Sequence, residues 1–237
     1  MNKKSNMTLA CKDCALRQYC LPSQLKAEDM DKAEAIVVPN NPIKKNENLY
    51  LTGESMSSIH IVKVGSVKTY VCNELGEESV TGFHLPGDIL GLEGLHSLEN
   101  ANSASALEPT LVCKIPCKGS DSFLLSDSEL PHYFLRLLSR EMKKGQKYRL
   151  LIAKRSAEAR LSGFILFLSQ HLKQRNLSST CFRLPMSKAD LANYLGLAAA
   201  TLSRALKQLE QNLVIKSSGR DLEILNLESL ELLTREA

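Results

Sequence analysis

The periodicity of the apolar residues changes once along the chain, and this change sets the fold class. From about residue 36 to residue 115, short apolar segments alternate with Gly-containing turns. Segments that recur roughly every 8–12 residues in this way predict an all-β roll or barrel. From Leu130 onward, apolar residues recur every three or four positions, as in amphipathic helices. The sequence therefore predicts an α+β fold, a β-roll followed by helices, with strands at residues 49–51, 59–62, 67–71, 79–83 and 111–115.

Length and the absence of targeting signals narrow the class of protein. A chain of 237 residues is long enough for two domains. Residues 1–6 are polar and unlike a secretory signal, and no apolar run reaches the ~20 residues of a membrane span. Seven cysteines without a signal favour reduced thiols or metal ligation. We therefore expect a cytoplasmic protein that has no membrane partner.

Positive charge is concentrated in one part of the chain. Residues 131–220 contain 17 Lys and Arg against 4 Asp and Glu, a charge of +13, whereas the whole chain carries only +4. Such a concentration is typical of nucleic-acid binding, because phosphate contacts release condensed counterions. A solvated helix surface is the alternative that charge alone leaves open.

A helix-turn-helix pattern lies inside this basic region. Ser187 and Asp190 form a capping box that opens a short helix, and Gly196 ends that helix in a tight turn. In a second helix at residues 199–209, three leucines recur at helical spacing and should face inward. The outward face would then present to a DNA groove Ala199, Ala200, Ser203, Arg204 and Lys207. Apolar segments at residues 213–216 and 222–225, joined by Ser, Gly and Arg, predict a β-hairpin wing.

The helix that precedes the helix-turn-helix has apolar residues at the spacing of a coiled-coil seam. Its seam residues would be Leu135, Leu138, Met142, Gly145, Arg149 and Ile152. A dimerisation helix is the leading interpretation, although Gly145 and Arg149 make the seam imperfect. A helix packed on its own subunit is the alternative.

Three cysteines near the N-terminus predict a metal centre. Cys11, Cys14 and Cys20 form a C-x2-C-x5-C run that brings three thiolates within reach of one centre. Zinc and iron–sulfur sites normally take four protein ligands, so this run is one ligand short.

Taken together, these residues resemble the CRP/FNR superfamily, and within it the oxygen-sensing FNR-type regulators. The resemblance rests on the cysteines, on Gly-Phe-His-Leu-Pro-Gly-Asp at residues 82–88, on the long helix, and on Asn-Tyr-Leu-Gly-Leu at 193–197 before Thr-Leu-Ser-Arg at 201–204. It implies a [4Fe–4S] cluster held by Cys11, Cys14, Cys20 and Cys113, with Cys117 as a rival for the fourth position. It also implies a homodimer that binds a palindromic DNA site and acts on RNA polymerase.

The resemblance also assigns DNA contacts and shows two departures. The family reads bases with Glu-x-x-Ser-Arg, and here Ala200 replaces the Glu while Ser203 and Arg204 are kept. We therefore expect a TTGAT-like half-site that is altered at one base pair, since Ala cannot accept a hydrogen bond from cytosine. Gly145 stands where FNR-type proteins place an acid in the dimer helix. Further predicted DNA contacts are Thr201, Lys207, Ser187 and Lys188.

The predicted domains are an N-terminal cluster-binding segment at residues 1–25, the roll at 26–130, the dimerisation helix at 131–158, and the winged helix-turn-helix domain at 159–237. Residues 99–104 lack the Arg that pairs a cyclic nucleotide phosphate in CRP-type members, so we expect no cyclic nucleotide. Zinc binding and thiol–disulfide sensing remain alternatives within the same class. An electron-transfer iron–sulfur protein is less compatible with the spacing, and the absence of nucleotide-loop, zincin and hydrolase motifs argues against an enzyme.

Overall fold

The computed structural model describes Cys14, Leu16 and residues 38–39, 41–117, 130–154 and 156–235. Cys11, Cys20 and the helix-like segment at residues 22–35 lie outside the described residues. The chain divides into two compact units, residues 1–140 and 141–237, and each is described by itself.

The first unit contains two four-stranded antiparallel sheets. One sheet has the strand order β1-β8-β3-β6 and the other has the order β2-β7-β4-β5. The strands are β1 (Val38–Pro39), β2 (Asn48–Tyr50), β3 (Ser58–Val64), β4 (Val67–Cys72), β5 (Glu78–His84), β6 (Ile89–Leu90), β7 (Ser103–Ala106) and β8 (Leu111–Pro116). This arrangement confirms the predicted β-roll. Strands β1, β6 and β7 were not predicted, because β1 and β6 have two residues each and β7 consists of Ser and Ala, which carry little strand signal.

Strand register assigns the two faces of the first sheet. His60 is opposite Lys114 and Ile61 is opposite Cys113. Because successive side chains alternate across a strand, His60 and Lys114 face the inner side of the sheet, and Ile61 and Cys113 face the outer side. The inner side packs in the core between the two sheets, which contains Tyr50, Val62, Val67, Leu90 and Ala104.

The outer side of the same sheet packs against a helix. Helix α1 (Leu130–Ile152) begins in the first unit, where Phe134 and Leu137 are buried. They belong to a hydrophobic cluster, here called the outer cluster, whose members are Met56, Ile59, Ile61, Ile89, Cys117, Phe134 and Leu137, with Leu92, Leu95, Cys113, Ile115 and Leu138 packed against it.

The predicted dimerisation helix is shorter in the structure than the sequence suggested. It ends at Ile152, six residues before the expected boundary at residue 158, and α2 (Ala157–Gln174) follows. Ser156 is the reason for the new start, because its side chain accepts a hydrogen bond from the Ala159 amide at 3.0 Å and so caps α2. All the predicted seam residues lie within α1.

The second unit is a winged helix-turn-helix. After α2 come β9 (Cys181–Arg183), α3 (Lys188–Tyr194), α4 (Ala199–Gln211), β10 (Ile215–Ser218), β11 (Asp221–Ile224) and α5 (Leu227–Arg235). The wing is a three-stranded sheet of order β10-β11-β9, so the predicted hairpin gains a third strand from β9. No helix among the described residues is long and apolar enough to cross a membrane.

Candidate metal centre and nucleic-acid interface

Cys113 lies on the outer face of the roll, beside helix α1. Strand β8 places it opposite Ile61 of β3 and Pro39 of β1, and its side chain is half-buried. It packs against the outer cluster, which also includes Phe134 and Leu137 of α1. A ligand at this position would therefore connect the roll with the start of the helix.

Cys14 lies within electrostatic range of Cys113. Burial raises the pKa of Cys113, the Lys63 ammonium lowers it, and the neighbouring Cys14 raises it again. Two ionised thiolates would repel each other here, and a bound cation would stabilise both in the ionised form. Two of the four predicted ligands therefore lie within electrostatic range of each other.

Cys117 occupies a different environment. It is 7% exposed, belongs to the outer cluster, and its thiol donates to the Ile115 carbonyl at 3.5 Å. Burial raises its pKa, and a backbone hydrogen bond near Ile59 opposes that shift. Among the described contacts, Cys14 affects the pKa of Cys113 and does not affect that of Cys117.

The donor set is compatible with an iron–sulfur cluster or with zinc. Within the described ranges, no group of three or more His, Cys, Asp or Glu side chains could hold a metal ion. Cys11 and Cys20, the other predicted ligands, lie outside those ranges. The half-buried Cys14 and Cys113 are sulfur donors of the type that a four-thiolate centre uses.

The recognition helix α4 has one buried face and one exposed face. Leu202, Leu206 and Leu209 are 0%, 5% and 1% exposed, as their spacing predicted. The opposite face carries side chains that are exposed, except for the half-buried Thr201: Ala199, Ala200, Thr201, Ser203, Arg204 and Lys207.

The predicted capping box is present at the start of α3. The Ser187 hydroxyl accepts from the Asp190 amide at 3.0 Å, and the Asp190 carboxylate accepts from the Ser187 amide at 3.3 Å. Lys188, the first residue of α3, is exposed. Lys188 places a cation at this helix N-terminus, which suits a phosphate, whereas the Ser187 hydroxyl is engaged with the Asp190 carboxylate. Their contacts with DNA stay a prediction.

The wing adds cations that the sequence analysis missed. Arg183 of β9 and Lys216 of β10 are exposed, and Arg220 in the hairpin turn donates to the Pro185 carbonyl at 2.9 Å. The signal that could have found them is the clustering of basic residues around the predicted hairpin, which the charge of the region already indicated.

Helix α1 exposes part of its predicted seam. Leu135 is 63% exposed and Met142 is 75% exposed in the single chain. Leu138 instead packs against the outer cluster, as the alternative interpretation of this helix expected. The remaining seam residues are the exposed Arg149 and the half-buried Gly145 and Ile152.

Asn102 and Ser103 lie in the segment that lacks a phosphate-binding Arg, and both form hydrogen bonds within the roll. The Ser103 hydroxyl accepts from the Thr52 amide at 3.0 Å and lies 3.2 Å from the Thr52 hydroxyl. Asn102, which is 7% exposed, accepts from the Tyr50 hydroxyl at 3.4 Å. These contacts occupy the polar side chains next to the position where a phosphate-binding Arg is absent.

Comparison with known proteins identifies the family. Residues 41–127 match the cyclic nucleotide-binding domain, and residues 159–233 match the Crp-like helix-turn-helix domain. The transcriptional activator protein Anr of Pseudomonas protegens is 40% identical over 216 residues, covering 91% of this chain and 88% of that protein. The chain belongs to the CRP/FNR family of transcriptional regulators, and within it to the FNR type.

Other members of this family are similar over almost their whole length. The anaerobic regulatory protein of Haemophilus influenzae is 38% identical over 224 residues, 94% of this chain and 87% of that protein. The fumarate and nitrate reduction regulatory protein of Yersinia pestis is 36% identical over 220 residues, 93% and 88% respectively. The solved structure of FixK2 from Bradyrhizobium japonicum has a TM-score of 0.74 at 27% identity, and the match covers 84% of this chain and 97% of that one.

Membership of this family confirms the predicted class of protein. The chain is a regulator with a DNA-binding helix-turn-helix domain, and the prediction that it is not an enzyme is confirmed by its relatives.

Proposed function

We propose that this regulator responds to oxygen through a [4Fe–4S] cluster that controls its dimerisation and DNA binding. The relatives' names, which refer to anaerobic regulation and to transcriptional activation, favour an activator that works when oxygen is absent. The observation that carries the proposal is the position of Cys113, which packs against the same outer cluster as Phe134 and Leu137 of α1. A change at the sulfur ligand is therefore adjacent to the helix that would form the dimer.

The proposed ligands are Cys11, Cys14, Cys20 and Cys113. Cys113 is preferred to Cys117 because Cys14 lies near it, whereas the Cys117 thiol donates to a carbonyl inside the outer cluster. A bound cluster supplies an oxygen-reactive centre that ties the N-terminal segment to the roll. Cys14 and Cys113 give up their thiol protons on binding and take them up again when the centre is lost.

The proposed dimer forms along α1. Leu135 and Met142 expose apolar surface on this helix, and burial of such surface against a second copy is favourable by about 25 cal/mol per Å². Met142, Gly145, Arg149 and Ile152 would continue the seam, with Leu138 bridging between the outer cluster and the partner helix. Loss of the iron–sulfur group would weaken the packing of the first turns of α1 against the outer cluster. The dimer would then be less stable.

The proposed DNA contacts divide into base-reading and phosphate-binding residues. Arg204 reads guanine and Ser203 contacts a base or a phosphate, while Ala200 provides room or a thymine-methyl contact. Thr201, Lys207, Ser187 and Lys188 complete the interface. A two-fold dimer implies a palindromic, FNR-box-like site whose half-sites lie about one helical turn apart. RNA polymerase is the proposed partner of the DNA-bound dimer, and no cyclic nucleotide is required.

The test is a visible absorption spectrum of anaerobically purified protein, combined with iron, sulfide and zinc analysis. We expect a broad visible sulfur-to-iron band for the proposed centre, about four irons per chain, a dimer by light scattering, and tight binding to a palindromic site. Exposure to air should abolish the band, the dimer and the tight binding together. A colourless protein containing zinc, or one whose mass and DNA affinity do not respond to air, would contradict the proposal.

A further inference from the structure

Helix α1 and the turn of the helix-turn-helix are joined by a pair of tyrosines. The Tyr148 hydroxyl donates to the Tyr194 carbonyl at 2.6 Å. The two rings are stacked, with centroids 4.4 Å apart and planes inclined by 22°. Phe164 of α2 packs edge-on against the Tyr194 ring at 5.8 Å, so all three helices meet at this residue.

The carbonyl that Tyr148 binds lies at the C-terminal end of α3. Tyr194 is the last residue of α3, and a side chain that donates to a final carbonyl of a helix acts as a cap. Burial raises the pKa of Tyr148, so its hydroxyl stays protonated and serves as the donor. Tyr148 therefore caps the C-terminus of α3 from a different helix.

Arg160 extends the same arrangement to the next two carbonyls. One guanidinium nitrogen donates to the carbonyls of Leu195 and Gly196 at 3.2 and 3.3 Å. Its Nε donates to the Lys154 carbonyl, just beyond the end of α1, at 2.8 Å. A cation at a helix C-terminus also complements the helix dipole. Three consecutive carbonyls of the turn, at residues 194–196, are thus held by side chains from α1 and α2.

The turn held in this way determines where the recognition helix begins. Gly196 has a φ of +62°, and α4 starts three residues later at Ala199. The orientation of Ser203 and Arg204 relative to α1 depends on this short connection. If α1 is the dimer helix, the same connection sets the distance and angle between the two recognition helices of a dimer.

We propose that Tyr148 is a positioning residue that couples the dimer helix to the recognition helix by binding and stacking on Tyr194. This proposal rests on one part of the proposed function, namely that α1 forms the dimer interface. Tyr148 makes the end of α1 and the helix-turn-helix move together, so the dimer offers its two recognition helices at one fixed spacing. Without the Tyr148 side chain, each winged helix-turn-helix domain still folds and still binds a half-site. The spacing between the two recognition helices of the dimer is then no longer fixed.

The experiment compares the full-length variants Y148F and Y148L with the wild type on three DNAs: a palindrome, the same palindrome with five base pairs inserted between its half-sites, and a single half-site. Y148F removes the hydrogen bond and keeps the stacking, whereas Y148L removes both. Y70F is the matched control, since it deletes a partly buried tyrosine hydroxyl, bonded to Asn48 at 3.3 Å, in the roll.

The wild type should prefer the correctly spaced palindrome strongly over the inserted one. We expect this preference to fall about threefold in Y148F, the effect of one hydrogen bond, and about tenfold or more in Y148L, where the aromatic contact is also lost. Affinity for the single half-site should stay unchanged in both variants, and Y70F should match the wild type on all three DNAs.

Two results would overturn the inference. One is an unchanged spacing preference in Y148L, and the other is an equal loss of affinity on all three DNAs, which would mean that Tyr148 only stabilises the reader. The absorption spectrum and mass of the wild-type protein are recorded in parallel, and they test the proposed cluster and dimer control. A dimer that lacks a cluster would refute the proposed function and leave the spacing comparison valid.

Discussion

Arg204 and Thr201 are hydrogen-bonded on the exposed face of the recognition helix. The Arg204 guanidinium donates to the Thr201 hydroxyl at 3.4 Å, and its Nε donates to the Ala200 carbonyl at the same distance. In a Glu-x-x-Ser-Arg helix the position of Ala200 would carry an acid four residues before the arginine. Here a neutral hydroxyl orients the arginine instead, and no carboxylate at position 200 accepts from cytosine.

Restoring the acid should restore selectivity at one base pair. In A200E we expect discrimination for cytosine over thymine at the affected position to rise by about tenfold, because a carboxylate accepts from cytosine N4. Binding-site selection followed by affinity measurements on single-base variants checks this expectation. A200M adds a side chain of similar length that lacks the carboxylate acceptor, and it should not raise this discrimination. Equal profiles for A200E and the wild type would show that residue 200 does not face a base.

Gly145 has open space around it in the single chain. A Cβ built there meets no atom within 4 Å, so larger side chains fit the protomer. In G145D, two carboxylates facing each other across the proposed dimer should raise the dimer dissociation constant about fivefold to tenfold, as a Coulomb energy of about 1 kcal/mol implies. Sedimentation velocity under anaerobic conditions measures the constant.

G145A is the control for this substitution. It adds no charge and should stabilise α1 by up to about 1 kcal/mol through its helix propensity, with a dimer at least as tight as that of the wild type. If G145D and G145A dimerise equally well, residue 145 lies away from the interface.

The two cysteines near the end of β8 should behave differently when substituted. C113A is expected to lose the visible absorption and the bound iron, because it removes the sulfur next to Cys14. C117A should keep both, and its free energy of unfolding should fall by about 1 kcal/mol through the gap left in the outer cluster. Absorption spectra and iron analysis of the two variants, prepared identically, provide the measurement. Iron loss in C117A with iron retained in C113A would reverse the ligand assignment.

His60 should make the stability of the roll depend on pH. Burial, with a further contribution from Lys114, lowers its pKa from 6.5 to about 4, and its Nδ1 has no hydrogen-bond partner among the described residues. Between pH 6.5 and pH 4 the unfolded chain therefore binds a proton that the folded chain does not. The free energy of unfolding should consequently decrease as the pH falls through this range, by about 3 kcal/mol in total.

Denaturant unfolding of cluster-free protein at several pH values tests this dependence. H60F keeps a ring against Tyr50, which stacks on His60 at 5.7 Å, and should flatten the dependence. H96N changes an exposed histidine and should not alter the pH dependence of the free energy of unfolding. A pH profile of H60F identical to that of the wild type would assign the dependence to other groups.

Much of the architecture could be predicted because it is encoded over short stretches of chain. Strands β3, β4 and β5 follow apolar segments bounded by glycine turns, and the buried leucines of α4 follow the helical period. The capping box at Ser187 is a four-residue signal. Strands without a local signal were missed, namely the two-residue strands β1 and β6, the Ser-Ala strand β7, and β9, which is completed only by pairing with β11.

The sequence by itself determined the α+β class, the helix-turn-helix with its wing, the family, and the set of candidate cysteines. Only the tertiary structure put Cys113 within electrostatic range of Cys14 and beside α1, and enclosed Cys117 in the outer cluster. Only the tertiary structure joined Tyr148 to Tyr194, 46 residues apart in the chain. The physical reason is that periodicity and caps depend on neighbours within a few residues, whereas these contacts depend on strand register and helix packing, which exist only once distant segments have folded together.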